Sequence, residues 1–289
     1  MPYLDRNGVK IYYQVHDRGN DSDRDSNAAP LLLLTHGFSS TSAMWAAQIP
    51  ALSRHFTLVT WDMRGHGHSD YPADPAAYSE SHTVEDMAAI LDAAAGGGSP
   101  SSSHTHAPAI VGGLSLGGYM SLAFYRTYPA RVAALLIIDT GPGFRNDDAR
   151  RKWNDTAEQT ARSFEVRGLS VLGGMSAERA GVAHLHRDAT GLARAARGML
   201  AQRDARVIAS LGDVKVPSLV VVGAEDTPFL AASEYMARKI PGARKVVVPK
   251  AGHAVNIDNP DGFMEAVMPF LDEVRREGGG AGGGDRAKL

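Results

Sequence analysis

Four short runs of this chain, LLLLTHG, FTLVTWD, APAIVGG and VAALLIID, are apolar almost without a break, and segments of helical spacing separate them. A strand with one wet face alternates apolar with polar residues, whereas a run that is apolar on both faces belongs inside a sheet covered on each side. Parallel neighbours also need a crossover long enough to hold a helix. Strand, helix and strand in repetition therefore predict an α/β fold: a mostly parallel central sheet with helices on both faces. SAMWAAQIPALSRH, TVEDMAAILDAAA and GYMSLAFYRTYP are read as helices, VKIYYQVHD as an edge strand, and NDSDRDSNAAP as a polar loop. Toward the far end PSLVVVGAED, LAASEYMARKI, RKVVVPKAG and PDGFMEAVMPFLDEVRRE resume the alternation.

Between 144 and 204 the strands disappear and Arg, Ala, Met and Gly dominate, as in DDARRKWNDTAEQTARSFEVRG and ATGLARAARGMLAQ. We expect an inserted helical cap there, over a core formed by 1–143 and 205–277, with a glycine-rich tail at 278–289. The 289 residues suffice for one large domain with such an insertion. GGGSPSSSHTHAP reads as a solvated loop within one crossover.

A net charge of −2 with 21% charged residues writes neither a basic nucleic-acid face nor an acidic tail, and points to a small-molecule substrate. With no cysteine, disulfides and thiolate metal sites are excluded, and any nucleophile must be oxygen or nitrogen. MPYLDRNGVKIYYQ lacks the charged and apolar segments of a signal peptide, and no run has the eighteen or so apolar residues of a membrane span. The last three residues, Ala-Lys-Leu, are a variant of the Ser-Lys-Leu peroxisomal address, so an import receptor is an expected partner. The alternatives are a frayed tail and a cytoplasmic location.

In VGGLSLGGYM, Ser115 sits between glycines in a Gly-x-Ser-x-Gly pattern, with a strand before it and a helix after it. A serine on so sharp a turn has strained backbone angles, and glycines at 113 and 117 remove the β-carbons that would collide. The turn lifts the hydroxyl to the amino end of the next helix, where free N–H groups favour developing negative charge. A phosphate loop or dinucleotide loop would need Gly-Lys-Ser/Thr or Gly-x-Gly-x-x-Gly, and neither spacing is met.

A serine hydroxyl needs a base, and a histidine has the suitable pKa. His253, in PKAGHAVNIDNP, follows the last strand, on a loop over the strand carboxyl ends where such sheets bind ligands. Asp226, just past the preceding strand, is the acid expected to hold the imidazole; Glu225 points another way, and Asp139 in LLIIDTG is a second candidate. Backbone N–H groups of Leu116 and Phe38, the latter beside permissive Gly37, are the expected oxyanion donors. His36 is expected to brace that loop. Trp153, Phe164 and Met199 of the cap, with Phe229, are candidates to line an apolar or aromatic acyl pocket. The cap arginines Arg150, Arg151, Arg162, Arg194 and Arg197 are expected to face water, with steering of a substrate carboxylate as the alternative.

HGF, GLSLGG, GAED and GH in this order resemble the α/β-hydrolase superfamily from about residue 8 to 275. WDMRGHGHSD looks like the Asp-x-Arg-Gly-x-Gly-x-Ser loop of its esterase, lactonase and carbon–carbon hydrolase branches. The branches with an aspartate nucleophile are excluded by Ser115. The resemblance implies acyl transfer to water without a cofactor, on a small ester, lactone or thioester, nearest to the enol-lactonases and small carboxylesterases. HGFSSTSAMW is also similar to the menaquinone-pathway synthase, which implies proton abstraction and elimination as an alternative, and slow-turnover ligand receptors share the fold. His66-x-His68-x-Asp70 imitates the start of a metallo-lactonase signature, but Tyr71 stands where the next histidine belongs, so no metal is expected. We expect Asp62 to pair with Arg64, and His104, His106, His184 and His186 to be solvated.

Overall fold

The apolar runs become the strands β3 (Leu31–Thr35), β4 (Thr57–Trp61), β5 (Ala109–Leu114) and β6 (Val132–Ile138), preceded by β1 (Tyr3–Arg6) and β2 (Val9–His16) and followed by β7 (Ser218–Gly223) and β8 (Arg244–Val248). The computed structural model describes residues 3–17, 29–96 and 107–279. Its sheet has the order β1-β2-β4-β3-β5-β6-β7-β8, and only the β1–β2 and β2–β4 pairs are antiparallel. The α/β class is as expected. Leu33, Val59, Val111, Leu135 and Ile137 enter one buried cluster, while Leu32, Leu34, Leu58, Ile110 and Leu136 enter the other. Side chains alternate across a strand, so a sheet with an apolar core on each face takes apolar residues at successive positions, with hydrogen-bonded exceptions such as Thr35 and Thr60.

The α-helices of the described residues are α1 (Ile49–Leu52), α2 (Glu80–Ala94), α3 (Leu116–Thr127), α4 (Asp147–Arg167), α5 (Ala177–Val182), α6 (Ala189–Ala195), α7 (Arg206–Ala209), α8 (Thr227–Lys239), α9 (Val255–Asp258) and α10 (Pro260–Gly279). Among these residues no helix is long and apolar enough to cross a membrane. VKIYYQVHD is not at the border: β1 pairs with β2 from Tyr3–Tyr12 to Arg6–Val9 and takes the edge. SAMWAAQIPALSRH is not one helix but a 3₁₀ turn, Ser42–Trp45, and the short α1, because Pro50 opens a new helix where it lacks an N–H to continue the old one.

The residues between β6 and β7 are helical, with α4 the longest element. Asn146 caps it by accepting from Ala149 N at 2.9 Å, and Ala157, Ala161 and Phe164 form its buried stripe. This layer meets the loop after β4 through glycines. A β-carbon on Gly191 would collide with the Tyr71 ring, and one on Gly198 would lie 2.7 Å from Tyr78 Cβ. The backbones approach too closely there for any side chain. His104, His106 and the Ala-Lys-Leu end lie outside the described residues.

Candidate active site

From Ala109 to Tyr125 every residue is buried except Ser115. Its φ is 56°, a left-handed value rare for a residue with a β-carbon. The chain holds it there with three hydrogen bonds: Ser115 N–H donates to Ile138 O at 2.9 Å, and Ser115 O accepts from Tyr119 N at 3.0 Å and Thr140 Oγ1 at 2.7 Å. The flanking glycines are required by space. A β-carbon on Gly113 would sit 2.6 Å from Thr35 O, and one on Gly117 would sit 2.7 Å from His36 O.

His253 lies between β8 and α9 and Asp226 between β7 and α8. The structure brings both to Ser115. His253 Nε2 is 2.9 Å from Ser115 Oγ, and His253 Nδ1 is 2.9 Å from Asp226 Oδ2. The Asp226 side chain is buried, while His253 is 27% exposed, so the ring joins a sheltered carboxylate to a face that a substrate can reach. A carboxylate on Nδ1 fixes the tautomer with the proton there, leaving Nε2 to accept from the serine hydroxyl. Phe229, on the first turn of α8, stacks on the imidazole with ring centroids 4.9 Å apart. Glu225 is exposed.

The loop after β3 packs directly on this turn: a β-carbon on Gly37 would be 3.5 Å from Ser115 Cβ. Among the described residues, Phe38 N–H donates to no protein acceptor. Leu116 N–H, in the first turn of α3, has no intrahelical partner to find.

Three histidines shore up that loop. His36 Nε2 accepts from Met63 N at 2.9 Å, which places its proton on Nδ1, facing Gly37 O at 2.7 Å. His66 Nε2 accepts from Ser39 N at 3.1 Å, and its Nδ1–H faces Arg64 O at 3.0 Å. His186, from the helical layer, accepts from Gly67 N at 3.2 Å through Nδ1 and donates to Ser39 O at 3.2 Å through Nε2. Burial is the main cause that holds all three below the usual imidazole value, His186 at about 4, so each is neutral. His36 braces the loop as expected. The expectation of a solvated His186 is wrong, since it is buried at the contact between layers; His184 is exposed.

Asp62 and Arg64 do not pair. Arg64 forks onto Asp86 of α2 at 2.6 and 2.9 Å, and Asp62 accepts from Ser42 N at 2.7 Å, His68 N at 2.9 Å and the His68 ring at 3.2 Å. Burial acts to raise the Asp62 carboxyl, but these bonds outweigh it and hold the group at about 2. A carboxylate among main-chain donors and an arginine fork across the loop satisfy both charges better than a local pair. His66, His68 and Asp70 do not converge: Asp70 Oδ2 accepts from Lys10 N at 2.8 Å, and both nitrogens of His66 face backbone.

Of the pocket candidates, Phe164 reaches Phe38, with ring centroids 6.2 Å apart, and Met199 is buried in the same cluster. Trp153 is tied within the helical layer, donating from Nε1 to Leu200 O at 2.8 Å and packing on Phe144. Arg150 and Arg151 pair with Asp147 and Asp148, Arg162 with Glu158, and Arg197 with Glu158 and Glu165. Arg194 donates to Pro72 O at 3.1 Å.

A strained serine after a parallel strand, a histidine after the last strand and an aspartate after the one before define a hydrolase-type site on a doubly covered sheet. Residues 32–266 match the model of the alpha/beta hydrolase family, and the chain belongs to that family. It is 26% identical over 286 residues to a putative 2-succinyl-6-hydroxy-2,4-cyclohexadiene-1-carboxylate synthase of Bacillus subtilis, covering 91% of this chain and 96% of that one. It is 28% identical over 262 residues to the pimeloyl-[acyl-carrier protein] methyl ester esterase of Aeromonas hydrophila, covering 84% and 95%. The crystal structure of the enol-lactonase from Burkholderia xenovorans superposes with a TM-score of 0.71 at 26% identity, covering 94% of this chain and all of that one.

Proposed function

We propose that the chain is a serine hydrolase that cleaves a small carboxylic ester or lactone through an acyl-enzyme on Ser115. The observation that carries this reading is the unbroken row Asp226, His253 and Ser115, with 2.9 Å at each step, ending on the one accessible residue of the elbow. In the first half-reaction Ser115 Oγ attacks the carbonyl carbon while its proton passes to His253 Nε2, and Asp226 stabilises the imidazolium so formed. The carbonyl electron pair moves onto oxygen, where the N–H groups of Phe38 and Leu116 receive the charge. When the tetrahedral species collapses, the alkoxide leaves with the proton from His253. In a lactone the leaving oxygen remains attached to the acyl chain, so ring opening yields a single hydroxyacyl-enzyme. Water then gives its proton to His253 and attacks the acyl carbon, and Ser115 leaves with that proton.

Phe164 beside Phe38, Phe229 beside His253, and Met199 in the buried cluster of Phe38 make apolar or aromatic acyl groups the favoured substrates. The esterase and lactonase activities named for the relatives from Aeromonas hydrophila and Burkholderia xenovorans support ester-bond hydrolysis as the reaction class. The test is turnover of an activated aryl ester. A burst of phenol stoichiometric with enzyme, followed by slower steady release, is expected, and Ser115→Ala should remove both phases. A wild type that shows neither overturns the reading. If that wild type instead catalyses elimination, a synthase-type reaction on the same three residues takes its place.

A further inference from the structure

One buried carboxyl at the site has no part in the steps above. Asp139 follows β6, is fully buried, and has a φ of 42°. A non-glycine residue in that region is strained by about 1 kcal/mol or more, so its neighbours must hold it. They do. Its N–H donates to Val221 O at 2.9 Å, its Oδ1 accepts from Gly223 N at 2.8 Å, and its Oδ2 accepts from Val255 N at 3.2 Å.

These partners belong to the two loops that carry the acid and the base. Gly223 O accepts from Asp226 N at 3.1 Å, and Val255 is two residues beyond His253. The next residue, Thr140, donates to Ser115 O at 2.7 Å. The Asp139 and Asp226 segments thus meet at Gly223, whose N–H donates to the Asp139 carboxyl and whose carbonyl accepts from Asp226, and both aspartates are buried. Two neighbouring carboxyls, buried away from water and with no cation paired to Asp139 among the described residues, cannot both stay charged at modest cost, so one retains a proton.

We propose that Asp139 is a positioning residue that acts as a neutral carboxylic acid, donating its proton to Asp226 while accepting from Gly223 and Val255, and so fixes the aim of the acid and base on Ser115. This rests on the triad reading above. It assigns the proton to Asp139, because Asp226 Oδ2 already accepts from the imidazole Nδ1 at 2.9 Å. Burial, reinforced by the charge of Asp226 and opposed by the Gly223 and Val255 bonds, pushes Asp139 up to about 8. The titratable groups facing it are Asp226 from the segment after β7 and, behind that, His253 from the segment after β8; its other partners on β7 and α9 are backbone N–H groups.

Ionisation of Asp139 in mildly alkaline solution would set two anions against each other and turn Asp226 from the imidazole. The test joins infrared difference spectroscopy to a pH profile of ester turnover. Wild type at neutral pH should show the carbonyl stretch of a protonated carboxylic acid, lost on titration with a midpoint near 8. Asp139→Asn should lack that band and lack the matching alkaline fall in kcat, because the amide has no proton to lose in this range. Asp139→Ala should lose about 10- to 100-fold in kcat relative to Asp139→Asn with KM little changed, the scale expected when catalytic geometry loosens. No Asp139-dependent band at neutral pH, or an alkaline limb unmoved in Asp139→Asn, overturns the proposal. Should that variant fail to fold, Asp226→Asn must shift the midpoint of the band downward, and an unmoved midpoint overturns it equally. Failure of ester turnover in wild type would sink the hydrolase reading while leaving the infrared result to judge Asp139.

Discussion

On the Phe38 side of the site His36, His66 and His186 have both ring nitrogens on backbone groups; on the other side His253 spans two side chains, a carboxylate and a hydroxyl. The same imidazole is a strut for the main chain in one region and a bridge between reactive side chains in the other. What separates them is the partner on each nitrogen, since main-chain groups lock one tautomer and leave no proton to exchange. Burial adds to this by removing the charged form from the three struts, whereas the ring of His253 keeps an open face.

The sharpest way to break this contrast is one substitution made on both sides. His253→Gln should lower kcat by about 10⁴-fold or more, as loss of a triad member does. His66→Gln, whose amide can reproduce a donor and an acceptor, should stay within about 10-fold. Comparable losses in steady-state ester assays would erase the distinction. His186→Ala should have an intermediate effect, about 10-fold in kcat and below the 10²- to 10³-fold lost with a whole oxyanion donor, because it loosens Ser39 and leaves the Phe38 N–H present. A change in KM alone would mean that His186 serves binding instead.

The smallest effect is on stability against pH. The depressed histidines contribute stability that is present above the ordinary value of 6.5 and is lost as pH falls, down to about 4 for His186. Asp139 has the opposite sign: raised from 3.8, it contributes stability present below that value and lost as pH rises through about 8. Thermal unfolding should therefore peak near pH 6.5, where the histidine contribution is complete and the Asp139 loss continues, and Asp139→Asn should flatten the fall above that pH and steepen the rise below it. An unchanged alkaline limb would return Asp139 to the ordinary carboxyls.

The parts legible in the sequence were those encoded by spacing. LLLLTHG needs a core on both faces whatever its neighbours, and Gly113 and Gly117 announce the collision that their absent β-carbons avoid. Burial of charge was not legible, because it depends on partners far along the chain. Arg64 chooses Asp86 over the nearby Asp62, and His186 finds Gly67 across 119 residues; nothing local distinguishes such side chains from solvated ones. β1 was missed for a related reason, since YLDR has four residues and half-exposed alternation, and only pairing with β2 makes it a strand. The tie from Thr140 to Ser115 O is likewise invisible until β5 and β6 lie side by side.

No residue between 144 and 204 bonds to Ser115, His253 or Asp226, among the described residues, yet His186 reaches Ser39. The helical layer therefore meets the Ser115 turn at one remove, through the His186 ring on Ser39 and the Phe164 ring on Phe38. An engineer grafting a foreign roof onto this sheet to change substrate range would inherit the row Asp226, His253 and Ser115 intact, but would have to transplant both rings to keep the loop after β3 from sagging.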